Sequence, residues 1–157
     1  MILHNCGSYI NLKEVGENSY KIIMSTELIG ISHKERMIVA TAVRYLRDYF
    51  PEYSQLQDSF DKEEYVRIAK INAILRLADA MDRSHKQKFT AITTTLRSQV
   101  LTITGSTLYD ITLEHGIFQN HSDFFEEVFG IQPILKQKKT MTPKHIESTK
   151  GKNGGRP

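Results

Sequence analysis

The hydrophobic positions of this chain follow two different periods. Up to residue 86, apolar residues recur every three to four positions, which is the period of an amphipathic α-helix. Residues 1–12 are expected to hold the end of a helix and a loop, with Gly7 as the breaker. Asn18 and Ser19 are expected to cap a second helix that continues through Met24. The first part of the chain is therefore predicted to be helical.

Two further helices are predicted from capping signals. Ser32, followed three positions later by Glu35, fits a capping box and opens a helix that Pro51 stops. Residues 52–60 are polar and are predicted to form a loop. Asp61 and Glu64 are available to cap a long helix that ends near residue 85.

This long helix carries two stripes at helical spacing. One stripe is apolar and runs from Ile68 to Ala78. The other is polar and consists of Asn72, Arg76, Asp79 and Arg83. On so apolar a helix, a polar line is either the solvent face or the wall of a pocket that receives a charged ligand.

After Lys86 the period changes from 3.6 to 2, which indicates β-strands. Strands are predicted at residues 89–96, 100–104 and 108–113. Ser122 or Asn120 is expected to cap a short helix that Gly130 ends, and a last strand follows at residues 131–135. The predicted fold class is α+β, with a helical subdomain at residues 1–86 and a small β-β-β-α-β appendage at residues 87–135.

The net charge of +3 comes from the end of the chain. Residues 136–157 hold seven of the 21 Lys and Arg residues and one acidic residue, Glu147. The remainder carries 14 basic and 17 acidic residues, a net charge of −3. Since residues 136–157 are rich in Gly, Lys, Ser and Thr, they are predicted to form a disordered basic tail.

The cysteine count and the length of the apolar runs bear on where the protein is located. The single cysteine, Cys6, excludes an intrachain disulfide framework, and no segment reaches the roughly 18 consecutive apolar residues that a membrane span needs. We therefore expect a cytoplasmic protein with no membrane partner. We also expect no specific nucleic acid partner.

The pair His4-Asn5 stands where a helix is predicted to end. It is similar to the His-Asp doublet of HD-type phosphohydrolases, in which histidines and aspartates hold divalent metal, and Asp79 would supply a further carboxylate. Here an amide replaces the carboxylate, and a neutral carbonyl is a weaker ligand for a hard cation. His4, Asn5 and Asp79 are thus interpreted as a degenerate form of that motif, with no metal expected.

Several segments together resemble the C-terminal region of exopolyphosphatases of the Ppx/GppA family. They cover about residues 1–135, and the most specific is the run Leu-Arg-Leu-Ala-Asp-Ala-Met-Asp-Arg-Ser-His at residues 75–85. The others are His-Asn-Cys-Gly-Ser-Tyr-Ile at residues 4–10, Asn-Ser-Tyr-Lys-Ile-Ile at 18–23 and Val-Arg-Tyr at 43–45. The resemblance implies an HD-like helical domain followed by a small α+β piece.

The resemblance also implies that this chain is a fragment. In the family, the catalytic carboxylate, the glycine-rich phosphate loops and the magnesium site belong to two actin-like domains that precede this region. We therefore expect no hydrolysis and no cofactor in this chain alone. The family further implies that the region forms a homodimer and lines a basic channel for inorganic polyphosphate.

A line of phosphates offers charge but no base edges, so its binder needs repeated Lys and Arg side chains. Asp79 lies between two arginines of the polar stripe and is placed to orient a guanidinium group. The predicted polyphosphate-binding residues are Arg76, Arg83, His85, Lys86 and Lys88. The weaker candidates are Lys34, Arg44 and Arg47, which are expected to be solvated, while His33, His115 and His121 are assigned to turns or the surface.

Three hypotheses remain open. The first is a non-catalytic module of an exopolyphosphatase-like enzyme that binds polyphosphate and dimerises. The second is an HD-type metal-dependent phosphohydrolase with a degenerate metal site. The third is a plain interaction domain, in which Arg76, Asp79 and Arg83 form a ladder of surface ion pairs worth a few tenths of a kcal/mol each.

Overall fold

The computed structural model describes residues 3–139, which form a mixed α/β structure. Within that range, four α-helices precede a three-stranded sheet along the chain, and a fifth lies between its second and third strands. A 3-10 helix, Cys6–Tyr9, comes first. The α-helices are α1 (Val15–Ser25), α2 (His33–Arg44), α3 (Tyr53–Leu56), α4 (Lys62–Met81) and α5 (Thr112–Phe129), and the strands are β1 (Ala91–Arg97), β2 (Val100–Ser106) and β3 (Gln132–Lys138).

The predicted capping box at Ser32 and the predicted cap at Asp61 are confirmed. The Ser32 hydroxyl accepts a hydrogen bond from the Glu35 backbone N–H, and the Glu35 carboxylate accepts one from the Ser32 N–H at 2.7 Å. Asp61 and Glu64 make the same reciprocal pair at the start of α4. These signals are local, so the sequence alone is sufficient to place both helix starts.

The expected cap at Asn18 and Ser19 is wrong. Helix α1 begins at Val15, and both residues are buried inside it. The Ser19 hydroxyl accepts a hydrogen bond from the Gly7 N–H at 2.9 Å. Gly7 is therefore a close-packing position rather than a breaker, since a Cβ there would lie 2.2 Å from the Val15 carbonyl oxygen.

Two other boundaries differ from prediction. The polar segment at residues 52–60 contains the short helix α3. Helix α4 ends at Met81, and its C-cap is Asp82, so the basic run from residue 83 onward follows the helix. His85 and Gln87 both have positive φ values, which turn the chain away from the helix axis towards β1.

The predicted third strand at residues 108–113 is wrong, because residues 108–111 form a loop and residues 112 and 113 begin α5. The Asp110 carboxylate accepts hydrogen bonds from the N–H and the hydroxyl of Thr112 and so begins the helix. Asn120 and Ser122 lie within α5 and do not cap it, and the Ser122 hydroxyl donates to the Phe118 carbonyl. The appendage is therefore β-β-α-β. Gly130 ends α5 as predicted, with a φ of 64°.

The sheet has the order β1-β2-β3, with β1 antiparallel and β3 parallel to β2. Helix α4 connects it to the helical part. The C-terminal half of α4 packs with β2, α5 and β3, while its N-terminal half packs with α2 and Phe50. Phe124 and Val128 of α5 contact both groups.

Strand β3 extends to Lys138, into the range predicted as a tail. The rest of the predicted disordered basic tail, residues 140–157, lies outside the described residues. Within residues 3–139, no helix is long and apolar enough to cross a membrane.

Candidate functional site

The polar stripe of α4 is not a solvent face. Asn72, Arg76 and Asp79 are all buried against α2 and the turn that follows it. The Asn72 side-chain amide donates to the Ala42 carbonyl at 2.7 Å and joins the two helices. This packing fixes the position of Asp79, which is the centre of the candidate site.

Asp79 contacts three basic side chains that come from three parts of the chain. Arg83 Nη1 lies 3.0 Å from Asp79 Oδ2, Arg47 Nη2 lies 3.5 Å from Oδ1, and His4 Nε2 lies 3.7 Å from Oδ1. The Asp79 side chain is 5% exposed, whereas those of Arg47 and Arg83 are 33% and 35% exposed. We call these four residues the Asp79 cluster.

The charges of the Asp79 cluster do not balance. Two guanidinium groups share one carboxylate, so the cluster has an excess positive charge that faces solvent. A guanidinium has five N–H donors, and each arginine uses only part of them on Asp79. The carboxylate therefore orients two half-exposed arginines whose remaining donors suit phosphate oxygens.

A cavity of about 180 Å³ lies beside the cluster. It is lined by His4, Ala78, Asp79, Asp82 and His85. Asp82 Oδ1 accepts a hydrogen bond from the Gln87 N–H at 2.9 Å, which holds the turn after α4. His85 is exposed at the rim of this cavity, and Lys86 follows it on the surface.

Arg76, a predicted binding residue, donates its hydrogen bonds to backbone carbonyl groups of the protein. Its guanidinium donates to the Tyr45 carbonyl at 2.7 Å and to the Asp48 carbonyl, and it lies 4.9 Å from the centre of the Phe124 ring. Burial lowers the pKa of Arg76, and the nearby Asp48 charge opposes that shift. Arg76 therefore provides hydrogen bonds to backbone carbonyl groups at the C-terminal end of α2 and in the turn after it, and it packs on α5.

Lys88, also a predicted binding residue, forms a buried ion pair. Its ammonium lies 2.9 Å from Glu114 Oε2 and donates to the Asp110 carbonyl at 2.7 Å. The Ser84 hydroxyl donates to Glu114 Oε1 at 2.6 Å. Burial alone would raise the pKa of Glu114, but the hydrogen bonds from Ser84 and Lys88 outweigh it and the pKa is lowered.

The structure therefore divides the predicted residues into two groups. His4, Asp79, Arg83 and His85 come together, and Lys86 lies next in the chain. Asn5 is in the turn before the 3-10 helix, where its carbonyl accepts a hydrogen bond from the Ser8 hydroxyl. The weaker candidates Lys34 and Arg44 pair with Glu64 and Glu17 at 3.0 and 2.7 Å.

The sequence interpretation ranks Arg47 only as a weaker candidate and leaves His121 out of the site. Nothing near Arg47 in the chain indicates a partner, and Asp79 is 32 positions away. His121 was assigned to a turn or the surface, but it lies half-buried on α5. Its electrostatic neighbours include Arg76, Asp79 and Arg83.

The positive charges around Asp79 disfavour a bound cation. Both Asp79 oxygens contact guanidinium groups, so a metal ion there would face two positive charges. Among the residues that the structure describes, no three His, Cys, Asp or Glu side chains are grouped as metal ligands. The two guanidinium groups of the cluster fit an anion better than a cation.

We expect His121 to make the free energy of unfolding depend on pH. Burial, followed by the charge of Arg76, lowers its pKa, so the unfolded chain binds a proton more readily than the folded protein. The free energy of unfolding should therefore fall as the pH drops through about 6.5, the usual His value. Urea unfolding at neutral and mildly acidic pH should show a weaker pH dependence in His121→Gln. His115→Gln, an exposed position on the same helix, is the control and should match the wild type.

Comparison with known families adds one finding. The family model of the Ppx/GppA phosphatase, domain III, matches residues 1–126 of the 157. Comparison with curated proteins gives no match. The match covers all of the Asp79 cluster and the helix with the most specific motif. The chain therefore belongs to the Ppx/GppA phosphatase family, in the region of its domain III.

Proposed function

We propose that this chain is a non-catalytic C-terminal module of an exopolyphosphatase-like enzyme, and that it binds inorganic polyphosphate and forms a homodimer. Family membership supports this role. The parent enzyme would hydrolyse terminal phosphates with actin-like domains that carry magnesium. We further propose that the helical part, residues 1–86, is HD-like, and that the protein works in the cytoplasm.

One observation carries the proposal. Arg47 and Arg83 come from different elements, and both are held by the buried carboxylate of Asp79. Because their geometry is set before a ligand arrives, less side-chain entropy is lost on binding. A chain of phosphates could then continue past His85 and Lys86, which follow Arg83 on the surface.

This proposal revises the set of contact residues. Arg76 and Lys88 donate to carbonyl and carboxylate oxygens within the protein, so we assign them structural roles. Arg47 replaces them as a contact. The proposed polyphosphate-binding residues are Arg47, Arg83, His85 and Lys86.

The test compares single arginine variants, which leave the other arginine to pair with Asp79. We expect Arg83→Gln and Arg47→Gln each to weaken binding of inorganic polyphosphate of uniform length about threefold to tenfold. The slope of log affinity against log salt concentration should fall by about one for each lost phosphate contact. Fluorescence anisotropy with labelled polyphosphate at several salt concentrations gives both values.

Arg67→Gln is the matched control, since Arg67 is an exposed arginine of α4 that pairs with Glu63. It should leave affinity and slope near the wild-type values. An equal loss in all three variants would show that only overall charge matters, and no binding by the wild type would favour the plain interaction domain. Stoichiometric metal in the purified protein, with phosphatase activity that Asp79→Asn abolishes, would instead support the HD-type hydrolase.

A further inference from the structure

Strand β1 is an open edge of the sheet. All seven of its residues, Ala91–Arg97, are exposed, and β2 is its one neighbour among the described residues. An edge strand presents a row of unpaired backbone N–H and C=O groups, which is a template for another strand. This strand therefore has a surface able to extend the sheet.

The two edges of the sheet differ in how they are protected. Strand β3, at the opposite edge, contains Pro133, Lys136 and Lys138, which are residue types that oppose pairing with another chain. Strand β1 contains no proline or lysine and exposes Ile92 and Leu96 by 54% and 57%. Strand β1 therefore lacks the features that protect β3, and it is the edge at which another strand can pair.

The hairpin register shows which backbone groups face outward. Ser98 and Gln99 form a two-residue turn, and Arg97 pairs with Val100. In such a hairpin the closing pair is hydrogen-bonded, so alternate residues from Arg97 back along β1 bond to β2. The residues between them, Ile92, Thr94 and Leu96, direct their N–H and C=O groups away from the sheet.

We propose that β1 pairs with β1 of a second copy, antiparallel, about a twofold axis at Thr94. This assigns a surface to the dimerisation proposed above and rests on that proposal. The sequence of β1 is self-complementary in this register, because Ile92 lies opposite Leu96 of the other copy and Thr93 lies opposite Thr95. Arg97 lies opposite Ala91, so no like charges meet. The outward groups form about six hydrogen bonds, and the two sheets become one.

The proposed contact is small. Two short strands bury less than the roughly 1,200 Å² of a standard stable interface, so the dimer should dissociate on dilution. The apolar side chains of Ile92 and Leu96 lie on the sheet face that carries Leu101 and Ile103, and pairing would cover them with their counterparts.

The first test removes a single outward donor. Thr94→Pro deletes an N–H that does not bond to β2, so the hairpin is retained while pairing with a second copy is blocked. We expect its dimer dissociation constant to rise at least about tenfold, whereas the matched variant Thr94→Val should remain dimeric. Sedimentation equilibrium over a range of concentrations measures both, and circular dichroism checks the fold.

The second test introduces charged side chains to check the register in which the two β1 strands pair. Ile92→Lys combined with Leu96→Lys places lysines opposite each other and should give a monomer. Ile92→Lys combined with Leu96→Glu places opposite charges across the axis and should recover the dimer, in a salt-sensitive manner. Both variants change the same two exposed positions. A difference between them therefore reports on strand pairing and not on a general loss of folding.

The outcomes distinguish this inference from the proposed function. A wild-type dimer that persists in Thr94→Pro and in the double-lysine variant would overturn the β1 interface and leave dimerisation through another surface. A wild type that stays monomeric at high concentration would overturn both dimerisation and this interface, while polyphosphate binding would still be judged by Arg47→Gln and Arg83→Gln. A dimer lost equally in the Lys/Lys and Lys/Glu variants would overturn the register.

Discussion

Replacing Gly16 by alanine is expected to lower the free energy of unfolding by about 3 kcal/mol. A Cβ at this position would lie 2.1 Å from the Arg44 carbonyl oxygen, and its next nearest neighbours are also Arg44 backbone atoms. A flexible side chain could move aside, but here the backbones of α1 and α2 would have to separate. Urea unfolding followed by circular dichroism measures the effect.

The matched control is Gly116→Ala. Gly116 lies within α5, and nothing is within 4 Å of the position its Cβ would take. Because alanine is a better helix former than glycine, this variant should gain about 0.5 to 1 kcal/mol. Similar changes in the two variants would mean that helix propensity, and not the close approach of α1 to α2, determines the outcome at Gly16.

The Gly16 contact also bears on the candidate site. Arg44 is the last residue of α2, and Arg47 lies in the turn that directly follows. The Glu17 and Arg44 side chains pair at 2.7 Å across the same contact. If α2 is displaced, Arg47 should move away from Asp79, so Gly16→Ala should also weaken polyphosphate binding in protein that remains folded.

Replacing Lys88 by methionine is expected to cost about 3 kcal/mol of stability. Glu114 is fully buried, and the substitution leaves its charge with the Ser84 hydroxyl but without its ammonium partner. The double variant Lys88→Met with Glu114→Gln should recover part of the loss, because it removes the unpaired charge. Chemical unfolding of the single and double variants gives the coupling between the two residues.

The pH dependence of this variant has a defined sign. In the wild type the pKa of Glu114 is lowered, so its contribution to stability is present above the unfolded value of about 4.3 and is lost as the pH falls. Without Lys88, burial should raise the pKa, and protonation would then relieve the variant. The deficit of Lys88→Met should therefore be smaller at acidic pH than at neutral pH.

Lys86→Met is the control for Lys88→Met. Lys86 is exposed, so its removal should change stability by less than about 0.5 kcal/mol. A comparable loss in both variants would contradict a buried ion pair at Lys88. The two lysines are neighbours in one basic run, yet the structure assigns them different environments.

Features that depend on neighbouring residues were predicted well. The capping box at Ser32, the cap at Asp61, the end of α5 at Gly130 and the strands predicted at residues 89–96 and 100–104 were all confirmed. Each is determined by interactions within a few residues, so a single sequence contains the information. The motif at residues 75–85 likewise led to the family, which the match over residues 1–126 confirmed.

The segment at residues 108–113 was predicted wrongly because its alternation of apolar and polar residues suits a strand. Ile111 is buried in the core shared with α4, and the side chain of Asp110 opens α5. The alternation thus reflects one residue packed into the core beside exposed neighbours. Helix α5 also begins earlier than predicted. Its N-cap position is Ile111, an apolar residue that gives no sequence signal for a helix start.

The sequence by itself determined the family, the starts of α2 and α4, and the identity of the charged residues along α4 and the run after it. Only the tertiary structure decided which of those charges are available to a ligand. Arg47 meets Asp79 across 32 positions, and Arg76 meets the Tyr45 carbonyl across 31. No periodic pattern encodes such pairs, because they form only where α2 and α4 pack together. That packing leaves Arg83 partly exposed and buries Arg76, seven residues earlier in the chain.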